Sequence, residues 1–330
     1  MGPWAVALVL FVSLSLNAQP TRTGPKTGVN PDPPIIQPKG THSFIVDDNG
    51  NKIWDSQLSN YFFTNKSTSF ASYNQALFTI EACHSGGFIG SLATYDGNEN
   101  QLNTPANIRP NVVVNTACAY SQCSFYAAGT AAKNYTDAYS YFPHYWQSEV
   151  ANNAMGDVTM QTAFQNSSAA TVAVSPQQSP QYYASSNLAN SFTLRYLRGF
   201  DDYAFLFGVG GNNNVGWEFF NDIQNMRNVL INNYGWDASH IIVMYDGGPR
   251  GTLPDGVTPV PNWVDYSATT AGLKDALESV HDDTTSLSKI FWFSTSHGDS
   301  ATPEPGTLTL LGTGVVGLTT ILRKKWNAHS

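Results

Sequence analysis

Two uninterrupted apolar runs along the chain end in the same way. QALFTIEACHSGGFI, residues 75–89, climbs through apolar and β-branched positions to Cys83 and stops at Ser85-Gly86-Gly87. KIFWFSTSHG, residues 289–298, climbs to His297 and stops at Gly298. Such runs predict buried strands closed by tight turns. NVVVNTA (111–117), YAFLFGV (203–209) and IIVMY (241–245) predict three more strands, and SFTLRYL (191–197) a sixth. Helical periodicity is clearest over 217–234, where Phe219, Ile223, Met226 and Leu230 recur at i, i+4, i+7 and i+11 and Gly235 closes the run. Residues 54–63 put Leu58, Tyr61 and Phe62 on one helical face, and 268–281 turn Leu273, Leu277 and Val280 inward. A longer helical stretch covers 135–165, with Pro143 either breaking it or starting a helix. SFIVDDNGNKIW, residues 43–54, reads as a hairpin. Its acidic turn lacks the glycine of an EF-hand loop and reads as a plain turn. Residues 90–106 and 175–190 read as loop. Strands alternating with helices imply an α/β fold, a mostly parallel central sheet with helices on both faces.

The two ends break this pattern. Residues 1–18 carry the apolar run AVALVLFVSLSL before Leu16-Asn17-Ala18, the form of a signal peptide. Residues 19–41 are rich in Pro, Gly and Thr and predict a disordered leader. That leaves one domain over 42–300. Residues 301–330 contain Pro303-Glu304-Pro305, an apolar segment from Gly306 to Leu322, and Arg323-Lys324-Lys325. The segment is just long enough to span a bilayer, and the basic triplet would stay on the cytoplasmic side.

Composition agrees with export. Only 12% of the 330 residues are charged, against about 25% in ordinary soluble chains. The net charge of −8, with no basic cluster outside the C-terminus, argues against nucleic-acid binding. No Cys/His/carboxylate group has zinc spacing, so no metal or cofactor is expected. Three cysteines are too few for a disulfide scaffold. Cys118 and Cys123 can pair or remain two thiols, and either arrangement leaves Cys83 free.

A thiol and an imidazole at two strand ends suggest a nucleophile and its proton carrier, because chemistry in open α/β sheets collects at the carboxyl ends of strands. Each has a plainer reading. Free cysteine is among the most buried residue types, and a lone histidine is usually a hydrogen-bonder. Gly86-Gly87 soon after Cys83, and Gly298 beside His297, favour the chemical reading. His84 follows Cys83 and should leave in another direction. His42 competes with His297, but no buried strand leads into it. Glu81 shares the face of Cys83, where an orienting role fits better than catalysis.

Glu81-Ala82-Cys83-His84-Ser85-Gly86 and Ser296-His297-Gly298, each after a buried strand, resemble the cysteine and histidine blocks of caspase-fold peptidases, with the legumain-like branch nearest. The segment from Tyr203 to Asp246 resembles the opening of bacterial legumain-like proteins. The resemblance covers 42–300. It implies a caspase-like three-layer sandwich and peptide hydrolysis through a Cys83 thioester. His297 would carry the proton, and the backbone N–H groups of Cys83 and Gly298 would hold the oxyanion. Glu81, Ser85, Gly86 and Asp299 become candidates for support or substrate contact. The order of the blocks departs from the family, in which histidine precedes cysteine. Residues 42–198 and 200–300 have exchanged places, which reads as a circular permutation joining the strand at 192–197 to that at 203–209. The C-terminal order resembles the PEP-CTERM sorting signal of Gram-negative bacteria. That implies an exosortase partner, membrane attachment before processing, and delivery to the periplasmic side of the membrane, the cell surface or the extracellular matrix. The expectation is a secreted cysteine endopeptidase acting on peptide or protein. The alternatives are an inactive caspase-fold surface protein and a thiol-dependent transpeptidase.

Overall fold

The computed structural model describes residues 42–70, 72–95, 108–129, 136–154, 158–188, 191–196, 201–210 and 216–301. The signal peptide, the leader and the apolar segment at 306–322 lie outside the described residues. Among the described residues, no helix is long and apolar enough to cross a membrane.

The chain is α/β, with a mixed six-stranded sheet. In chain order its strands are β3 (Gln75–Glu81), β4 (Val112–Thr116), β7 (Gln181–Ala184), β8 (Tyr203–Gly208), β9 (Ile241–Tyr245) and β10 (Lys289–Thr295). They lie side by side as β7-β4-β3-β10-β8-β9, and β7 alone runs antiparallel to its neighbour. Five of the six form where the sequence predicts. Every residue of β4, β8, β9 and β10 is buried, which is why they read as unbroken apolar runs.

Strand alternation sorts the side chains into two cores. Phe78, Ile80, Phe205, Phe207 and Trp292 face α1 (Asp55–Phe63), α2 (Phe88–Ala93) and α6 (Thr270–Glu278). Leu77, Leu206, Val243, Phe291 and Phe293 face α3 (Tyr141–Asn152), α4 (Met160–Val174) and α5 (Trp217–Tyr234). Phe62 shows how α1 docks: its ring meets Phe78, Phe205 and Trp292 edge-on, with centroids 5.1, 6.0 and 5.4 Å away. At the end of α5, Gly235 takes φ +70° and its N–H caps the carbonyls of Leu230 and Ile231.

Several expectations are corrected. The helical stretch predicted over 135–165 is two helices, α3 and α4, and Pro143 sits in the first turn of α3, where no N–H is needed. The helix predicted over 268–281 is shorter, because Thr269 caps its start through Gly272 N–H and it ends at Glu278. Residues 88–93 form α2 where loop was expected from residue 90, and β7 lies inside the expected loop 175–190. No strand forms over 191–196. Phe192 and Leu194 are buried there, as alternation predicts, but the carbonyls go elsewhere. Phe192 C=O accepts from Met160 N–H, Leu194 C=O from the Trp236 indole, and those of Thr193 and Arg195 from Lys289 Nζ. The strand placed at one side of the permutation junction is therefore absent.

β5 (Tyr126–Ala127) and β6 (Tyr139–Ser140) pair antiparallel as a two-stranded ribbon, and a three-stranded sheet closes the domain. β1 (His42–Val46) forms the expected hairpin with β2 (Lys52–Trp54), and β11 (Gly298–Ala301) adds to its other edge. The turn is plain: the Asp47 carboxylate accepts from the N–H groups of Asn49, Asn51 and Thr270. His42 pairs with Ala301, so the first and last described residues of the domain are ladder neighbours.

Candidate active site

β3 and β10 are adjacent and parallel, with Glu81 opposite Thr295. Two residues further on, Cys83 and His297 leave neighbouring strand ends. Ser296 N–H donates to Glu81 C=O at 3.0 Å, and Val46 N–H donates to His297 C=O at 2.9 Å, so both exits are fixed by backbone. The chain also reverses direction across the sheet one strand away, between β8 and β10. From β8 it passes through α5 to β9 on one side, then returns through α6 to β10 on the other. Crevices at such switch points are where open α/β sheets bind ligands.

Cys83 is half-buried and His297 is exposed. The His297 ring stands edge-on to Phe219 of α5, with centroids 5.0 Å apart. Among the described residues no hydrogen bond joins the two. The thiol lies 3.8 Å from Ser124 C=O. Burial and a hydrogen bond with Cys123 push it up to about 12, partly offset by hydrogen bonds from Ser124. At neutral pH the resting sulfur is therefore a thiol, which needs a proton acceptor before it can attack a carbonyl.

The turn after Cys83 is held by a loop, residues 118–124. His84 takes a left-handed conformation, φ 60° and ψ 16°, which swings its ring away from the thiol. Its N–H donates to Gln122 C=O at 2.7 Å, its Nδ1 lies 2.6 Å from Tyr120 C=O, and its Nε2 lies 3.6 Å from the exposed Asp299. Ser85 is fully buried, and its Oγ accepts from Cys118 N–H at 3.3 Å. A Cβ on Gly86 would come 2.5 Å from Tyr120 N. Ser85 and Gly86 thus pack into the turn from inside. Asp299 is accessible but engaged with His84. His42 starts β1, pairs with the buried Asp55 at 3.0 Å, and lies three residues along the ladder from Gly298, about 10 Å away.

Gly298 packs directly against the backbone of Cys83. A Cβ there would lie 2.6 Å from Cys83 O and 2.9 Å from Phe44 O, two atoms that cannot move independently of the sheet. Gly298→Ala is expected to destabilise the fold by about 1–3 kcal/mol. An unchanged urea midpoint would remove this role.

Beside the pair lies a group of carboxyls only partly anticipated. Glu81 is buried on β3, with one oxygen bonded to Ser124 and the other unpartnered. Asp222 of α5 accepts from Thr295 Oγ1 at 3.1 Å, and its second oxygen, Oδ1, is also unpartnered. Glu218, one turn earlier on the same helix face, is buried near His297. Burial raises all three; the repulsion of Asp222 adds to the rise at Glu81, and the imidazole of His297 partly offsets it at Glu218. Among the described residues no lysine or arginine neutralises them. Glu218 and Asp222 are missed by motif reading. Their signal was an acidic i, i+4 pair set among the apolar positions of the best helix.

Residues 301–325 match the PEP-CTERM protein-sorting motif. The motif points to an exported, surface-sorted protein of Gram-negative bacteria, anchored at the membrane before processing and recognised by exosortase-type sorting enzymes. No curated protein and no solved structure matches the chain.

Proposed function

We propose that this exported protein is a cysteine endopeptidase with Cys83 as nucleophile and His297 as proton carrier. The observation that carries the reading is the parallel pairing of β3 with β10, which brings a thiol and an imidazole 214 positions apart in sequence to adjacent strand ends, beside the switch point between β10 and β8. Cys83 would add to the scissile carbonyl as His297 takes its proton. His297 would then return that proton to the leaving amine, and water would hydrolyse the thioester. The N–H groups of Cys83 and Gly298 are the candidate oxyanion donors.

The caspase/legumain-like ancestry rests on the two sequence blocks, and the strand order favours its permuted form. Counted from Tyr203, the six strands run 2-1-3-4-5-6 with the last antiparallel, a doubly wound order. The ladder between His42 and Ala301 makes relinked termini geometrically natural.

The carboxyl group suggests the substrate. An arginine or lysine side chain next to the cleaved bond that enters between Glu81 and Asp222, both buried at rest, would displace the proton that burial retains on Asp222 and pair with the unpartnered oxygens. A charge-assisted hydrogen bond contributes about 1.5–3 kcal/mol, so cleavage after Arg or Lys is expected to exceed that after Gln roughly 10- to 100-fold in kcat/KM. A preference for acidic residues at that position would contradict this assignment. A second reading, a non-enzymatic surface protein, is favoured by the resting thiol, which is protonated and out of contact with His297. Mass analysis of peptide substrates incubated with reduced protein separates the readings. Water-added fragments support hydrolysis, amine-added products indicate transfer, and intact peptides throughout would overturn the proposal.

A further inference from the structure

Cys83 does not stand alone at the strand end. Residues 83–84 run beside 122–124, tied by His84 N–H to Gln122 C=O at 2.7 Å, with the Cys83 sulfur 3.8 Å from Ser124 C=O. If the two stretches oppose each other antiparallel about that bond, Cys83 falls opposite Cys123, and opposed residues hold their Cα atoms ~4.5–5.5 Å apart, inside the ~4.4–6.8 Å range that a disulfide spans. The Cys123 side chain is hydrogen-bonded to that of Cys83 and is exposed. Cys118 is the poorer partner. It is fully buried, with its thiol directed at Ala82 C=O at 3.3 Å and Gln122 C=O at 3.2 Å. All three are thiols in this structure. The sorting motif places the chain outside the cytosol, where disulfides form and persist.

We propose that Cys83 and Cys123 form a reversible disulfide that masks the nucleophile until it is reduced. The oxidant is a disulfide, protein or low-molecular-weight, of the exported compartment. The Cys123 thiolate attacks one of its sulfurs, forms a mixed disulfide and expels one thiolate. Cys83, giving up its proton, attacks the Cys123 sulfur and expels the second. One S–S bond breaks and one forms, and the two thiol protons end on the released thiols. The site that oxidant reaches first is the exposed Cys123, and the two partners need little backbone movement because the loop is already hydrogen-bonded to the turn. The chemical consequence, a latent peptidase released by reductant, rests on the function proposed above. The bond itself does not.

The test uses the full chain oxidised with glutathione disulfide, then split into untreated and phosphine-reduced samples. Peptide mapping is expected to find a fragment linking Cys83 to Cys123 in the oxidised sample and to lose it on reduction. Iodoacetamide should modify Cys83 only after reduction, whereas in Cys123→Ser the modification of Cys83 should no longer depend on the phosphine. Peptide turnover, read in parallel, should show the same loss of reductant dependence. A linked fragment with no turnover in any reduced sample would leave the disulfide standing and count against the peptidase reading. Absence of the fragment, a link through Cys118, or Cys123→Ser with the wild-type reductant dependence would overturn the proposal.

Discussion

His297→Ala is expected to lower kcat/KM about 10²–10⁴-fold, the usual contribution of a positioned acid–base group. The resting thiol at about 12 makes the loss specific. Without an imidazole to accept the proton, attack depends on the small thiolate fraction. The residual rate of the variant should therefore climb roughly tenfold per pH unit from neutrality toward pH 10, while wild type shows no such climb. The ring also packs on Phe219, a contact that contributes about 0.5–1.5 kcal/mol at most. His297→Gln preserves much of that packing and should lose as much activity as His297→Ala. Equal wild-type and variant pH profiles would remove His297 from the chemistry, whatever the thermal stability shows.

Asp222→Asn is expected to change how stability depends on pH. Burial holds this carboxyl at about 8 in the folded chain, against an ordinary 3.8. Between those values the folded state keeps a proton that the unfolded chain has released. The stabilisation is fully present below about pH 3.8 and is lost as pH rises through about 8. One retained proton gives a slope of up to about 1.4 kcal/mol per pH unit. Glu81 is shifted in the same direction by its burial and by Asp222, so wild type should become less stable from pH 5 to pH 8. The amide cannot ionise, so the variant should show a shallower fall and a higher Tm than wild type at pH 9. It should also relax the preference for Arg and Lys. Melting curves at pH 5, 7 and 9 with parallel slopes for both proteins would contradict the burial of an ionisable group at this position.

The sheet was largely legible in the sequence because burial on both faces leaves an unmistakable pattern. β10, KIFWFST, is buried at all seven positions. The adjacency of β3 and β10 was not dictated by either strand's own pattern; it is seen in their parallel ladder. β7 was not legible. QYYA is four residues long, only one of them is fully buried, and it lies at the sheet edge after Pro180. Residues 191–196 mislead in the opposite way, since alternating burial of Phe192 and Leu194 suits a strand while the carbonyls serve Trp236 and Lys289 instead. At the site, the strand-end residues carry a local signature, but their surroundings do not. Cys123 approaches Cys83 through a loop whose hydrogen bonds no spacing rule reveals. Glu218 and Asp222 come from a helix that chain order places far from Cys83. The roles of Ser85 and Gly86 follow only from the loop at 118–120 that packs against them.

We propose Cys83 as a peptide-directed nucleophile. The most direct test is covalent labelling of reduced protein with an electrophilic peptide ending in arginine, followed by mapping of the modified residue. One adduct per chain on Cys83, absent from a folded Cys83→Ala variant and suppressed by excess peptide substrate, is the expected result. Labelling that persists in Cys83→Ala, or that falls on Cys118 or Cys123, would contradict the account.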